Sequence, residues 1–284
     1  MRLPSVRYGF MNTLAQNLYL ESDYLKHNTT FIEIQVHDEL KSKENVLNMY
    51  EVSPNFSGYV TIHGEGETAG KKKIQFCSDN REMRSNYVKE NIVLYSSIIG
   101  EINSSVTRLV LHPDTLNRNI SRHKQIEYLA ESLAIISDKL DALDICIEPR
   151  GGDRQGKVLR AEIEDLEMLG ENLNSIKAKV GLCIDVAQLF VVHGNNGTIR
   201  FIEELKSVRL PVKEFHISDV KQSEKIMNRV AMEIGKGVID WQLILPVVLQ
   251  HCNELLIETL GGIKVFKRSK SYLESLVKEH EVLL

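Results

Sequence analysis

The sequence lacks a long apolar run, closely spaced cysteines and an excess of basic residues, and each absence narrows the class of protein. No apolar run approaches the roughly 18 residues that a membrane-spanning helix needs. The stretch MRLPSVRYGFMNTL has no apolar core or cleavage site typical of a signal peptide. The net charge of −4 gives no basic signature for a nucleic-acid partner, although a local basic patch could coexist with it. The cysteines are far apart, which predicts reduced, buried thiols in a cytoplasmic protein: Cys77, Cys146, Cys183 and Cys252.

The sequence also lacks the short motifs that identify many enzymes. It contains no HExxH zinc motif, and the glycines of residues 149–157 have neither Walker nor dinucleotide-binding spacing. No linker, composition shift or low-complexity segment divides the 284 residues. The apolar share of 43% and the charged share of 26% are ordinary for a globular enzyme. We therefore predict a single domain over residues 1–284.

What the sequence does contain is a repeated pattern of short apolar runs, most of them followed by a helix-like segment. The clearest run is VGLCIDVAQLF, residues 180–190, whose first half is typical of a strand buried on both faces. Strands are predicted at 5–10, 30–35, 59–63, 107–112, 144–148, 179–185, 212–216 and 254–258. Helices are predicted at 13–27, 81–102, 123–140, 161–173, 198–208, 239–250 and 265–284. Eight alternating units predict a closed (β/α)₈ TIM barrel, an α/β fold.

Six of the predicted strands end in a side chain that can bind metal. In a barrel of this kind the carboxyl ends of the strands surround one mouth, so these side chains should converge. Each one alone is more often a structural residue, and only the joint pattern indicates a site. Imidazole and carboxylate ligands together suit Zn²⁺, Mn²⁺ or Fe²⁺. We predict one or two divalent ions, with Zn²⁺ preferred and Mn²⁺ as the alternative, held by His63, His112, Glu148, Asp185, His216 and Glu258.

Several loop residues are weaker candidates for substrate contacts. The loop PRGGDRQGK, residues 149–157, has glycines that allow close backbone approach and basic side chains that favour an anion, but an ordinary βα loop explains it equally well. The lysines at 71–73 and Arg154 could meet phosphates, although a solvated loop is the commoner role of a lysine run. His37 and Asp38 follow a strand and are candidate contacts, whereas Trp241 is predicted to pack in the core.

Five stretches resemble the xylose isomerase-like TIM barrels, and among these the endonuclease IV pattern (AP endonuclease family 2). They are CIEPRGG, VGLCIDVAQLFVVHG, FHISDVK, IGKGVIDW and LLIETLGG. The resemblance implies that His63 and His112 bind one metal, which Glu148 shares. It also implies a second site at Glu148, Asp185, His216 and Glu258. In the isomerases and epimerases, the same four positions hold a single divalent ion, and the two glutamates take part in proton transfer.

The sequence departs from the endonuclease pattern at the ligands of its third metal. Three residues after Asp185, where that family has a histidine, this chain has Gln188. The family's Asp-x-His before Gly-x-Gly corresponds to NRVAMEIGKG, residues 228–237, which contains neither aspartate nor histidine. The resemblance therefore implies at most two metals.

Two functions follow from these observations. The first is an endonuclease IV-like phosphodiester hydrolase that acts on abasic or damaged DNA, favoured by the six ligand positions in the expected order. The second is a sugar or keto-polyol isomerase or epimerase, favoured by the missing third site, in which Glu148 and Glu258 are catalytic. A barrel that binds metal without catalysis is a third hypothesis. The predicted substrate-binding residues are Arg150, Lys157, Gln188 and Arg229.

Overall fold

A computed structural model describes residues 6–12, 28–36, 58–64, 74–102, 105–150, 156–221 and 229–283. Within these ranges, eight parallel strands close into a barrel and two further strands form a separate antiparallel hairpin. The barrel strands follow one another around the ring in chain order. They are β1 (Arg7–Asn12), β2 (Phe31–Gln35), β3 (Tyr59–His63), β4 (Val106–Leu111), β5 (Asp144–Ile147), β6 (Val180–Asp185), β7 (Val212–Ile217) and β10 (Glu254–Ile257). The hairpin consists of β8 (Asp219–Lys221) and β9 (Arg229–Met232).

Helices cover the outside of the barrel, and several begin at a polar cap that the sequence supplies. The side chains of Asn80, Ser121 and Asp240 each accept a backbone N–H from the first turn of the helix that follows. Buried apolar residues such as Leu129 and Leu133 lie along one side of such a helix. The helices are Arg81–Glu101, Arg122–Lys139, Ile163–Ser175, Val186–Glu204, Trp241–His251 and Gly262–Leu283. No helix in the described ranges combines the length and hydropathy of a membrane span.

The barrel interior is built in layers because alternate residues of a strand face the same side. On β4, Arg108 and Val110 lie two residues apart, and His112 follows at the same spacing just past the strand. Cys146 and Glu148 repeat this pattern on β5 and beyond its end. All five residues are buried. The polar side chains at the strand ends thus lie above a layer of small apolar ones.

The predicted barrel is confirmed, with all eight strands found within two residues of their expected bounds. The helix predicted at 198–208 follows a helical segment that begins at Val186, and a kink at Gly194, whose positive φ of 65° is not helical, separates the two segments as the predicted glycine turn requires. One local prediction was wrong. The polar loop expected between β7 and the helix from Trp241 contains the β8–β9 hairpin. The predicted helix at 13–27 lies outside the described residues, as do His37, Asp38, the lysines at 71–73 and Arg154.

Candidate metal centre

Three of the six predicted ligands form a compact group at the ends of β3, β4 and β5. Nε2 of His63 and Nδ1 of His112 each lie 3.2 Å from the same Glu148 oxygen, Oε2. One ligand atom from each residue can be chosen so that all three atoms lie within 4.8 Å of one another. The three side chains are buried. This spacing suits a single divalent ion bound by two imidazoles and a carboxylate.

His216 lies between two further carboxylates, because its two ring nitrogens face different glutamates. Nδ1 lies 3.4 Å from Glu258 Oε2, and Nε2 lies 3.3 Å from Glu33 Oε2. Glu33, His63 and His216 form a second group whose ligand atoms lie within 4.8 Å of one another. The arrangement brings His216 and Glu258 together, as predicted from their strand ends.

Glu33 is a site residue that was not predicted. It lies in the middle of β2, where it pairs with Thr61. This pair is two residues before the pair of Gln35 and His63 along the strands. Its carboxylate is fully buried. Burial alone would raise the pKa of Glu33, but the charges of His216 and His63 outweigh that effect and lower the pKa. The available signal was a single charged residue inside an otherwise apolar strand, TFIEIQ.

Asp185 lies next to the same carboxylates and also caps a helix. Its Oδ1 accepts the backbone N–H of Gln188 at 3.1 Å, at the start of the helix Val186–Glu204. Burial, together with the negative charges of Glu258 and Glu148, raises the pKa of Asp185 to about 7. These interactions indicate that the three carboxylates share one region, although Asp185 belongs to neither of the two compact groups found among the described residues.

Arg150 supplies the positive charge that faces these acids. Its Nη1 lies 3.2 Å from Glu148 Oε1. Burial opposes the charged guanidinium, but Glu148, Asp185 and Glu258 outweigh it and raise the pKa of Arg150. Burial likewise opposes the charge on Glu148, but Arg150 and His112 lower the pKa of Glu148 well below its usual range. Glu148 is therefore held as a carboxylate, the form that binds metal.

The same surroundings keep His112 neutral. Burial, followed by the charge of Arg150, lowers the pKa of His112 well below its usual value. The neutral imidazole is the form that donates a lone pair to a metal. A short distance between His112 and Glu148 therefore does not make them an ion pair.

Several buried polar atoms of the site have no hydrogen-bond partner, and this observation tests whether the residues fit a metal. They are Nδ1 of His112, both ring nitrogens of His216 and both carboxylate oxygens of Glu33. Buried polar atoms left unpaired are costly. A divalent cation would satisfy imidazole and carboxylate atoms of this kind, so the donor set fits Zn²⁺ or Mn²⁺.

The other predicted residues have varied positions. The backbone of Arg229 lies in β9, but its side chain is outside the described part of the chain. The Nζ atom of Lys157 contacts Thr115 Oγ1 at 3.2 Å. Gln188 lies in the first turn of the helix after Asp185 and is part-buried. Trp241 is fully buried in the hydrophobic core, as predicted.

The segment that departs from the endonuclease pattern is held by backbone contacts. Ala231 has a positive φ of 65°, and its N–H donates to Ser218 Oγ at 3.2 Å. Its carbonyl accepts the N–H of Leu260, just beyond β10, at 2.9 Å. These two hydrogen bonds hold the β8–β9 hairpin beside the strand ends. The methyl side chain of Ala231 offers no ligand to a metal.

The fold and the clustered side chains define a (β/α)₈ barrel with a candidate metal centre, and comparison with known proteins agrees on the fold. The family model of the xylose isomerase-like TIM barrels matches residues 45–260. The chain therefore belongs to the xylose isomerase-like TIM barrel family.

Solved structures of the same fold include proteins of different activities. A D-tagatose 3-epimerase-like protein is 16% identical over 98% of this chain and 100% of its own, with a TM-score of 0.73. The IOLI protein with a bound zinc atom is 16% identical over 96% and 98%, with a TM-score of 0.68. AP endonuclease family 2 from Brucella melitensis is 12% identical over 95% and 98%, with a TM-score of 0.67. At these identities the likeness shows the shared fold, so the choice of reaction rests on the site.

Proposed function

We propose that this protein is a divalent-metal-dependent isomerase or epimerase of a small sugar or keto-polyol. The observation that carries the proposal is the convergence of Glu148, Asp185 and Glu258 on the guanidinium of Arg150. Glu148 and Glu258 follow strands that are three positions apart in the ring, with the strands of Asp185 and His216 between them. Two carboxylates at the ends of such an arc can reach a bound substrate from different sides.

In this proposal Glu148, Asp185, His216 and Glu258 hold the ion. A bound divalent cation supplies Lewis-acid polarisation of a carbonyl oxygen. One glutamate accepts the proton from the carbon beside the carbonyl, which breaks the C–H bond and leaves an enediolate. The other glutamate, or the same one for an isomerisation, delivers a proton to form the new C–H bond. Arg150, and in our prediction Arg229, stabilises the negative oxygen.

The replaced ligands of the endonuclease pattern support this choice. Gln188 stands where the endonuclease pattern has a histidine, and residues 228–237 contain neither the aspartate nor the histidine of its Asp-x-His. The buried ligands also favour a small substrate, because His63, His112, Glu148 and His216 are each at most 6% exposed. A small polyol can enter such a site as a whole.

A compact group of three side chains supports a second candidate function, that of a phosphodiester hydrolase. His63, His112 and Glu148 lie close enough to bind an ion of their own. Two ions would favour a phosphodiester hydrolase acting on DNA, in which a metal-activated water attacks phosphorus. The lysines at 71–73, Arg154 and Lys157 would then be candidate phosphate contacts.

A proton-exchange experiment with a panel of sugars tests the proposal, because exchange beside a carbonyl is common to the whole substrate class. The Mn²⁺- or Zn²⁺-loaded protein is incubated in D₂O with several ketoses, and deuterium incorporation beside the carbonyl is followed by NMR. We expect incorporation into at least one ketose and a loss of about 10²-fold or more in Glu258→Gln, because the proton-transfer group is removed. Arg200→Ala, at an exposed position of the helix Val186–Glu204, serves as a control.

The same preparations are offered an oligonucleotide with one abasic site. Cleavage of that DNA without exchange into any ketose would contradict the isomerase and favour the hydrolase. Inactivity of the metal-loaded protein on both substrate classes would overturn both candidates.

A further inference from the structure

Glu33 is a buried acid that the proposed reaction does not use. It lies at the centre of β2, in the barrel interior, with an exposed fraction of 0%. Its neighbours on β2 are apolar and buried. A carboxylate in such a place is costly unless it compensates a charge or a hydrogen-bond donor. Its position therefore needs an explanation other than core packing.

The ring of His216 gives that explanation. The two ring nitrogens of an imidazole point in different directions, and in the neutral form one carries a proton while the other carries a lone pair. Nε2 faces Glu33 Oε2 at 3.3 Å, and Nδ1 faces Glu258 Oε2 at 3.4 Å. A histidine that binds an ion through Nδ1 keeps its proton on Nε2, where the neighbouring Glu33 carboxylate can accept it.

The 3.3 Å contact between His216 Nε2 and Glu33 Oε2 is not itself aligned as a hydrogen bond. We infer that Glu33 is a positioning residue that accepts the Nε2–H of His216 when Nδ1 binds the ion, and that it thereby turns the Nδ1 lone pair toward Glu258 and the ion. This inference rests on the metal site of the proposed function. Metal-binding histidines commonly donate their second N–H to a carboxylate, which fixes the ring and raises its basicity. Glu33 would thus act on the ion through His216.

Glu214 is the other acid near His216 and is less suited to this role. Its Oε1 lies 3.8 Å from Nε2, too far for a hydrogen bond. Its Oε2 accepts from Arg108 Nη1 at 2.7 Å. Glu214 therefore belongs to an ion pair below the site and provides a matched control, since it is also a fully buried glutamate beside the same histidine.

Direct metal binding by Glu33 is the competing role. Glu33, His63 and His216 have ligand atoms within 4.8 Å of one another. In that arrangement the Nε2 atom of His216 would bind the ion and could carry no proton. The two roles thus differ in the tautomer of His216 and in the number of ions that a Glu33 variant binds.

The test compares the full-length protein with Glu33→Gln, Glu33→Ala and Glu214→Gln, using Zn²⁺ alone as the probe. Zinc content is measured by elemental analysis, zinc affinity by chelator competition, and the histidine tautomers of the zinc-loaded protein by ¹⁵N–¹H NMR. We expect unchanged zinc content at saturation in every protein. The dissociation constant should rise by about 10- to 100-fold in Glu33→Ala, less in Glu33→Gln, whose amide oxygen can still accept the proton, and little in Glu214→Gln.

The wild-type spectrum keeps the inference testable if a variant does not fold. We expect His216 of the zinc-loaded protein to carry its proton on Nε2, because Nδ1 binds the ion. Protonation on Nδ1 in the wild type, unchanged zinc affinity in Glu33→Ala, or the loss of one zinc equivalent in Glu33→Gln would each overturn the inference.

These results separate the inference from the proposed function. A wild-type protein that binds no divalent ion would remove the metal site and the inference together. Intact zinc binding with the expected Glu33 effects, but no exchange into any ketose, would contradict only the isomerase.

Discussion

Arg150 is the residue on which the charge balance of the site depends. Its guanidinium interacts with Glu148, Asp185 and Glu258, all of which would otherwise repel one another. The opposite charge beside a buried carboxylate favours the ionised form, which is why the pKa of Glu148 is lowered even though burial opposes it. A metal ion held by the same carboxylates would supply positive charge at the same place. Arg150 should therefore matter most to the metal-free protein.

We predict that Arg150→Ala destabilises the metal-free protein by about 1–3 kcal/mol, because it leaves buried carboxylates without their donor. The loss should be smaller with zinc bound. Thermal unfolding in chelator and in excess zinc measures both values, and Arg200→Ala, the same substitution at an exposed helix position, should have little effect in either condition. Equal losses for Arg150→Ala with and without zinc would contradict this role.

At the scale of the strands, a second charged group lies in the barrel interior directly below the proposed ligands. Nη1 of Arg108 on β4 lies 2.7 Å from Glu214 and 2.8 Å from Glu254. Glu254 also contacts Arg7 on β1 at 2.8 Å. These side chains connect strands β1, β4, β7 and β10 across the barrel. The group is structural in our account, since it lies below the layer of proposed ligands.

We predict that Arg108→Ala lowers the free energy of unfolding by about 3–5 kcal/mol, because Glu214 would be left as an uncompensated buried charge. Arg7→Ala is the matched control. Its side chain is 48% exposed, so loss of its contact with the same Glu254 should cost about 0–1 kcal/mol. Urea unfolding of the two variants gives both values. Similar losses in both would show that burial of Arg108 has no special effect.

The elements that were predicted well are those with a strong physical pattern. Runs such as VGLCID are apolar on both faces because the barrel buries both, and this pattern determined β6 almost to the residue. The β8–β9 hairpin was missed because its strands have only three and four residues, too few for an alternation of side chains to show. The break at Gly194 was predicted because a glycine and a following Asn-Asn pair favour a turn, and the backbone is kinked there.

At the scale of the whole molecule, closure of the barrel turns separate strand ends into a site. Consecutive members of the six predicted ligands, from β3 to β10, are between 31 and 49 residues apart along the chain, so no local motif contains them. Their convergence could be predicted only because the repeating units predicted a closed ring. Glu33 could not be found in this way, since it lies inside β2 rather than at its end, and only the register of the sheet places it beneath His63.

The most direct test of the account is the metal content of protein purified without added metal, measured by elemental analysis together with Glu258→Gln and His63→Ala. We predict about one equivalent of divalent metal per chain, retained in His63→Ala and lost in Glu258→Gln, because Glu258 belongs to the proposed four-ligand site. About two equivalents, falling to about one in His63→Ala, would favour the hydrolase instead. Absence of bound metal after purification and after reconstitution with Zn²⁺ or Mn²⁺, or equal metal content in Glu258→Gln, would contradict the central claim.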